Sequence, residues 1–202
     1  MIPSIRHPVS DVQHPYILAH DLGTTGNKAT LFDAAGAVVA AIFSSYETAY
    51  PQPNWAEQNA DSWWQAVRDS TRELLGTASA APHDIAVVSF SGMMNGMLPV
   101  NEQGTPLRPA IIWADQRATA EAETLARICD REEVYRRTGH RPGASYTAAK
   151  LIWMQRHQPE LYARTHMVLQ AKDYAAYKLS GIFATDYSDA SSTNLFALET
   201  RE

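Results

Sequence analysis

Two short apolar runs joined by a turn of glycine and threonine constrain the fold of this chain more than any other feature. The runs cover residues 16–20 and 29–32, and the turn at residues 21–28 reads DLGTTGNK. Apolar runs of this length on both sides of a glycine-rich turn are typical of a β-hairpin. The sequence therefore predicts two antiparallel strands with a glycine-rich tip.

The tip of this hairpin carries groups that suit a phosphate and a metal ion. Backbone N–H groups in a tight turn, here around Gly23, form an anion-binding nest. The hydroxyls of Thr24 and Thr25 add donors for phosphate oxygens, as does the ammonium of Lys28. The carboxylate of Asp21 can hold Mg²⁺ directly or through water. The alternative is a plain hairpin in which the glycines only satisfy backbone geometry.

Length, charge and cysteine content exclude several classes of protein. At 202 residues the chain can bury the core of one domain, expected at residues 16–202 after a flexible leader at residues 1–15. A net charge of -5 with scattered Lys and Arg predicts neither a nucleic-acid partner nor a membrane-surface partner. No apolar run is long enough to span a bilayer. The single cysteine, Cys129, fits a reducing cytoplasm, where we expect the protein to reside.

Strands dominate the first half of the predicted fold and helices the second. Asn59 or Asp61 begins a helix with one apolar face, and the apolar run at residues 85–90 predicts a strand covered on both faces. The remaining strands are predicted at residues 16–22, 27–33, 38–46, 97–100 and 110–113. Later helices are predicted at residues 117–129, 147–157, 159–164 and 172–179, the last ending at Gly181. This order indicates an α/β domain of the ribonuclease H type, with a mixed sheet, an antiparallel three-strand start and flanking helices.

Two further segments carry side chains that suit a sugar. The loop at residues 91–96 follows a strand, and its Asn95 offers the donor and acceptor that a hydroxyl needs. Trp113 can give an apolar platform for a sugar ring, and Asp115 can accept bonds from hydroxyls. The alternatives are a tight turn at Asn95, a core position for Trp113, a helix N-cap at Asp115 and a surface position for Arg117.

Two later segments are weaker candidates. The helix around Lys150 is apolar over most of its circumference, so we expect it to be buried, with Lys150 and Gln155 left for polar partners. Residues 185–191 place two carboxylates and several hydroxyls in one loop, which suits hydroxyl or metal binding but is more typical of caps and Asx turns.

Taken together, these segments resemble the FGGY family of carbohydrate kinases, whose hairpin motif is shared with the actin-like ATPase superfamily. The resemblance runs in order from residue 16 to about residue 198. It includes the hairpin tip, PNWAEQ at residues 53–58, GMMNG at residues 92–96, WADQR at residues 113–117, and DYSDAS at residues 186–191. Residues 145–157 match the family's first signature at its defining positions.

This resemblance implies a role for each site residue. Asp21 would lie near Mg²⁺ and phosphate, and the transferred phosphoryl group would meet residues of the hairpin tip, namely Gly23, Thr24, Thr25 and Lys28. The sugar pocket would be lined by Met94, Asn95, Trp113 and Asp115. Xylulokinases carry a histidine where this chain has Asn95, which separates it from them at that position.

The resemblance also implies a second half of the site. Family members bind ATP and sugar between two actin-like domains. Residues 16–202 resemble the N-terminal, sugar-binding domain, and this sequence stops near the end of that domain. The catalytic base and the nucleotide domain would lie beyond Glu202 or in a separate chain, so this chain alone is expected to be inactive. The implied activity is ATP- and Mg²⁺-dependent phosphorylation of a ketopentose or related sugar, polyol or sugar acid, with homodimerisation left open. A non-catalytic sugar-binding or regulatory module is the alternative.

Overall fold

A four-stranded mixed sheet forms the centre of the molecule. The structure, a computed structural model, describes residues 15–201, so the leader predicted at residues 1–15 lies almost entirely outside the described residues. The strands are β1 (Tyr16–Leu22), β2 (Gly26–Asp33), β3 (Val38–Ser45), β4 (Glu57–Gln58), β5 (Ile85–Gly92), β6 (Leu98–Val100), β7 (Ala110–Ile111) and β8 (Met167–Leu169). The main sheet has the order β3-β2-β1-β5, with β1 to β3 antiparallel and β5 parallel to β1. The predicted mixed sheet with an antiparallel start is confirmed.

Helices surround this sheet and follow it along the chain. They are α1 (Ala60–Ala78), α2 (Thr119–Ile128), α3 (Arg131–Thr138), α4 (Thr147–His157), α5 (Pro159–Arg164), α6 (Ala171–Ser180) and α7 (Tyr187–Ser191), with a single 3-10 turn at Pro82–Asp84. The predicted bounds of α4 and α5 are confirmed, and α6 ends at Gly181, which has a left-handed φ of 73°. None of the helices in the described part of the chain is long and apolar enough to cross a membrane.

The first hairpin forms where the sequence predicts it. β1 has the predicted bounds, β2 begins one residue earlier, at Gly26, and β3 ends one residue earlier, at Ser45. A Cβ atom at Gly26 would lie 2.5 Å from the Phe43 ring and 2.6 Å from the carbonyl oxygen of Ser44. Glycine at this position therefore lets β3 pack directly against the start of β2.

α1 covers one face of the sheet. Asn59 is its N-cap and accepts a hydrogen bond from the amide of Asp61 at 3.0 Å, so the first of the two predicted caps is confirmed. The buried face of the helix includes Trp63 and Leu74, and Leu74 packs against Leu18 with other strand residues. Burying such side chains contributes roughly 1.5–3 kcal/mol each.

The prediction that β5 is covered on both faces is wrong within the described residues. Its burial alternates along the strand, and Val87 is 49% exposed. Ile17 and Phe43 lie on the same sheet face as Val87 and are also exposed. The apolar run of β5 therefore reflects an edge strand with one open face, because α1 and α6 both pack on the other face.

β6 and β7 lie within strands that the sequence predicts, whereas β4, β8 and α3 were not predicted. β4 pairs with β7 and β8 pairs with β6, in ladders too short to show periodicity. The sequence of α3 is highly charged, so no apolar stripe marks it. Its local signals are the Asp130 cap, which accepts bonds from two amides, and Glu133 paired with Arg136 and Arg137.

Candidate functional site

Three separate segments meet in one cleft at the end of the main sheet. The cleft has a volume of about 430 Å³. It is lined by the hairpin tip, the loop after β5 and the residue that follows the β7 region: Asp21, Gly23, Thr24, Gly92, Met93, Met94, Asn95 and Trp113. The structure thus brings together most of the residues predicted for phosphate and for sugar.

The carbonyl groups of the hairpin tip are held toward the protein. The hydroxyl of Tyr46 donates to Gly23 O at 2.5 Å, the side-chain amide of Gln58 donates to Thr24 O at 2.7 Å, and the Tyr46 amide donates to Thr25 O at 3.2 Å. In a trans peptide the next N–H points opposite to the carbonyl. The amides of Thr24 and Thr25 therefore point away from Tyr46 and Gln58, as an anion-binding nest requires.

Tyr46 can hold the Gly23 carbonyl in this orientation because its phenol stays protonated. Its burial, and the nearby charge of Asp21, raise the pKa of the phenol well above its usual range. The hydroxyl remains a donor to Gly23 at any physiological pH.

The two charged residues of the hairpin lie beside the nest. Asp21 and Lys28 are direct partners across β1 and β2, and both are exposed. Asp21 lines the cleft and also a neighbouring depression of about 280 Å³ that contains Lys28, Ser89 and Ser91. Lys28 lines only the second space, and Thr25 is exposed at the tip without lining either.

The loop after β5 is packed closely onto the hairpin. A Cβ atom at Gly92 would lie 3.1 Å from Leu22 O, and the amide of Met93 donates to the same oxygen at 2.8 Å. Asn95 has a left-handed backbone, with φ of 63°. No donor among residues 15–201 reaches its buried Oδ1 atom, so the amide keeps unused hydrogen-bonding capacity at the cleft.

Trp113 connects the two walls of the cleft. Its indole Nε1 donates to Thr24 Oγ1 at 3.0 Å, while the side chain remains 45% exposed. The alternative that Trp113 is an ordinary core residue is therefore wrong. An exposed indole face that is fixed in orientation by a hydrogen bond can pack against the C–H face of a sugar.

Asp115 does not line the cleft, contrary to expectation. It is completely buried, and its carboxylate accepts bonds from Ala56 N at 2.5 Å and from Arg117 N and Nε at 2.9 Å. These protein donors leave it in the layer behind Trp113. Nor is it the N-cap of α2, which is Ala118.

Arg117 belongs to the same buried layer and is not a surface residue. Its guanidinium carbon lies 3.6 Å from the centre of the Trp55 ring, and its Nη2 atom lies 2.7 Å from both Glu57 and Asp115. Arg108 pairs with Glu57 from the other side. Apart from the pairing of Arg117 with Asp115, these contacts join residues more than 50 positions apart in sequence. Sequence reasoning missed this network because only PNWAEQ and WADQR, read together, could have suggested it.

The acidic loop at the end of the chain is a structural element. Asp186 caps α7 by accepting bonds from the amides of Ser188 and Asp189. The ammonium of Lys172 lies 3.0 Å from Asp186 and 2.8 Å from Asp189 and from Asp173. No group of acidic, histidine or cysteine side chains within residues 15–201 is arranged to hold a metal on its own.

His20 is a packed imidazole beneath the hairpin. Its Nδ1 lies 3.0 Å from the side-chain nitrogen of Asn27, and its ring stacks on Phe90 at 5.4 Å. Burial lowers the pKa of His20 to about 4, although the hydrogen bond with Asn27 opposes this shift. The imidazole is therefore neutral at physiological pH.

A donor-rich hairpin tip faces an amide and a fixed indole at the end of a mixed α/β sheet, and this arrangement offers groups that suit phosphate and hydroxyl oxygens. The family model for the FGGY family of carbohydrate kinases, N-terminal domain, matches residues 16–202. The chain belongs to this family, whose members are phosphotransferases.

Several proteins of similar sequence and structure are sugar or polyol kinases. A xylulose kinase of Escherichia coli strain K12 is 38% identical over 173 residues, covering 86% of this chain and 35% of that protein. A glycerol kinase of Trichormus variabilis is 34% identical over 190 residues, covering 93% of this chain and 38% of that protein. The crystal structure of a xyloylose kinase from Brucella ovis matches with a TM-score of 0.82 and 33% identity. The match covers 90% of this chain and 37% of that chain.

These matches confirm the predicted actin-like ATPase fold and the resemblance to the N-terminal part of carbohydrate kinases. The chain spans between 35% and 38% of the length of these three relatives.

Proposed function

We propose that residues 16–202 form the sugar-binding domain of an ATP-dependent carbohydrate kinase. The observation that carries this proposal is the single cleft in which Thr24 and Trp113 are hydrogen-bonded at 3.0 Å and Asn95 faces the same space. Phosphoryl transfer requires that an acceptor hydroxyl and a phosphate be held side by side. The hairpin tip and the loop after β5 lie side by side in the cleft, which supports this proposal.

The hairpin supplies the phosphate half of the proposed site. The outward amides of Thr24 and Thr25 suit oxygens of the transferred phosphoryl group. Asp21 is exposed at the edge of the cleft and fits Mg²⁺, an ion that prefers carboxylates and water. Bound Mg²⁺ would neutralise charge on the phosphates of ATP. Lys28, beside Asp21, adds a second positive charge on the strand face.

The loop after β5 and Trp113 supply the sugar half. Asn95 presents an amide, and Trp113 and Met94 present apolar surfaces that are each 45% exposed. We infer a ketopentose or a related sugar, polyol or sugar acid as the substrate class. Asp115 lies behind the cleft, where it holds Arg117 and the Ala56 amide, and it does not contact the ligand in this proposal.

Turnover is proposed only for the longer protein that contains this domain. The relatives are more than twice as long as the chain, and the base and the nucleotide domain are expected outside residues 16–202. We also propose that the protein works in the cytoplasm, in keeping with its single unpaired cysteine, Cys129.

Calorimetric titration of this chain with D-xylulose, glycerol and D-gluconate tests the proposal. We expect at least one of these compounds to bind. We expect Trp113→Ala to lower the affinity for that compound more than Trp64→Ala does, because Trp64 does not line the cleft. Equal loss in both variants, or no binding of any sugar to wild type, would contradict the proposed site. A coupled ADP-release assay on the same chain should show no sugar-dependent turnover.

A further inference from the structure

Lys150, on α4, is fully buried behind the cleft. Its Nζ atom donates to three main-chain carbonyl oxygens, those of Asn95 at 2.5 Å, Ser145 at 2.6 Å and Ile112 at 2.9 Å. An ammonium group has three N–H donors, so each donor is used once. Hydrogen bonds from a charged donor are stronger than neutral ones, and these three therefore fix their acceptors firmly.

Two of the three acceptors control residues that line the cleft. One is the carbonyl of Asn95 itself. Another is the carbonyl of Ile112, and because the peptide unit is planar, fixing this oxygen also fixes the bond that leads into Trp113. The third acceptor, Ser145, ties the same ammonium to the turn before α4.

The backbone of Asn95 is left-handed, with φ of 63°, a conformation that asparagine adopts more readily than most residues with a Cβ atom. α4 adds a second contact, because Thr147 Oγ1 donates to the carbonyl of Gly96 at 2.9 Å. One helix thus holds both ends of the Asn95–Gly96 dipeptide.

We propose that Lys150 is a positioning residue that holds Asn95 and Trp113 in the arrangement with which the cleft binds its sugar. It does so through three hydrogen bonds to the main chain. The identity of the ligand rests on the proposed function, whereas the ordering of the loop does not.

The charge environment of Lys150 makes this positioning sensitive to pH. No carboxylate of the described chain lies within ion-pair distance of its Nζ atom; Asp115 attracts the charge, Arg117 repels it, and Tyr146 is the titratable residue of the preceding turn. Burial lowers the pKa of Lys150 to about 7. A neutral amine has only two N–H donors, so all three hydrogen bonds form only while the side chain is an ammonium.

Hydrogen exchange of the chain without ligand tests the ordering. At pH 6, where the side chain is an ammonium, we expect residues 92–97 of wild type to be protected about tenfold or more above the same residues in Lys150→Met. The surface turn at residues 101–105 serves as internal reference. Lys150→Gln, which keeps a hydrogen-bond donor, should fall between the two and replaces Lys150→Met if that variant does not fold. Equal protection of residues 92–97 in wild type and the folded variant overturns the proposal.

Sugar binding tests the consequence for the ligand. The dissociation constant of the tightest sugar should be ten- to a hundredfold weaker in Lys150→Met, measured where the variant is fully folded. Lys178→Met, an exposed lysine of α6, should stay within twofold of wild type. Equal affinity of wild type and Lys150→Met overturns the proposal. If wild type binds no sugar, the proposed function fails, and the exchange experiment still decides the role of Lys150.

Discussion

Two lysines are buried among the described residues, and they meet different kinds of oxygen. Lys150 donates to three main-chain carbonyls, and Lys172 lies within 3.0 Å of three carboxylates. Burial lowers the pKa of Lys150 to about 7. Burial also acts to lower the pKa of Lys172, but hydrogen bonds and charge from Asp173, Asp189 and Asp186 outweigh it and raise the pKa.

The difference shows two ways of using a buried ammonium. Carboxylates neutralise the charge of Lys172, and this cluster joins α6 to α7. Carbonyl dipoles leave the charge of Lys150 less compensated but fix three backbone segments around it. We expect the first kind of site to dominate stability and the second kind to dominate the geometry of the cleft.

The largest effect is expected for Lys172→Met. It leaves the carboxylates of Asp189 and Asp173 buried without their cation, which commonly costs about 3–5 kcal/mol. Urea denaturation at pH 7 measures the loss. Lys178→Met, on an exposed face of the same helix, is the matched control. A loss below about 1 kcal/mol for Lys172→Met would mean that the carboxylates find other partners.

The next largest effect is expected in how the contribution of each lysine to the unfolding free energy depends on pH. The folded-state pKa of Lys150 lies near 7 and its unfolded value near 10.5, so its contribution is lost as pH falls toward 7 and grows as pH rises. The difference in unfolding free energy between wild type and Lys150→Met should therefore rise by about 2 kcal/mol from pH 7 to pH 9.

Lys172→Met should show no such rise. The folded-state pKa of Lys172 is raised, so its stabilising contribution is fully present below its unfolded pKa and is lost only as pH rises beyond that value. Urea midpoints at three pH values decide both cases. If the unfolding free energies of the two variants depend on pH in the same way, carbonyl and carboxylate surroundings do not affect a buried lysine differently.

Asn95→Gly separates the role of the Asn95 backbone from the role proposed for its side-chain amide. Glycine adopts a φ of 63° freely, so the free energy of unfolding should change by less than about 1 kcal/mol. Sugar affinity should weaken by about 1–3 kcal/mol, because the amide is lost. Asn194→Gly, with φ of 61° and outside the cleft, is the control for backbone effects. Equal affinity in both variants would make Asn95 a turn residue only.

The smallest effect is expected for Asp186→Asn. The side chain of Asp186 is 55% exposed, so water screens its ion pair with Lys172, and asparagine can still cap α7. Urea denaturation should show a change below about 0.5 kcal/mol. A loss comparable to that of Lys172→Met would place the whole cluster, including its exposed member, in one cooperative unit.

The parts of the fold that depend on local chemistry could be predicted from the sequence. The hairpin, the cap at Asn59 and the ends of α4 follow from turn residues and helix signals that lie within a few positions of each other. The faces of β5 could not be predicted, because an apolar run does not say whether a helix will cover it. Nor could α3, whose stability comes from charged pairs and a cap.

Within the site, residue type was a better guide than residue role. Trp113 and Asn95 line the cleft, as the sequence pattern predicts. The carboxylate of Asp115 instead accepts hydrogen bonds from Ala56 and Arg117. Its partner amide at Ala56 is 59 positions away, and no local pattern encodes that distance. The same holds for Lys150, whose acceptors are backbone atoms and therefore leave no trace in side-chain composition.

The clamps on the hairpin tip have a further consequence for binding. Tyr46 and Gln58 turn the carbonyls of Gly23 and Thr24 inward while the chain folds, with no ligand present. A phosphate bound at the proposed site would meet amides that already point outward, and little conformational entropy would remain to be lost on association. The free energy of ordering the tip is then part of folding, so we expect substitution of Tyr46 to weaken anion binding at the proposed site.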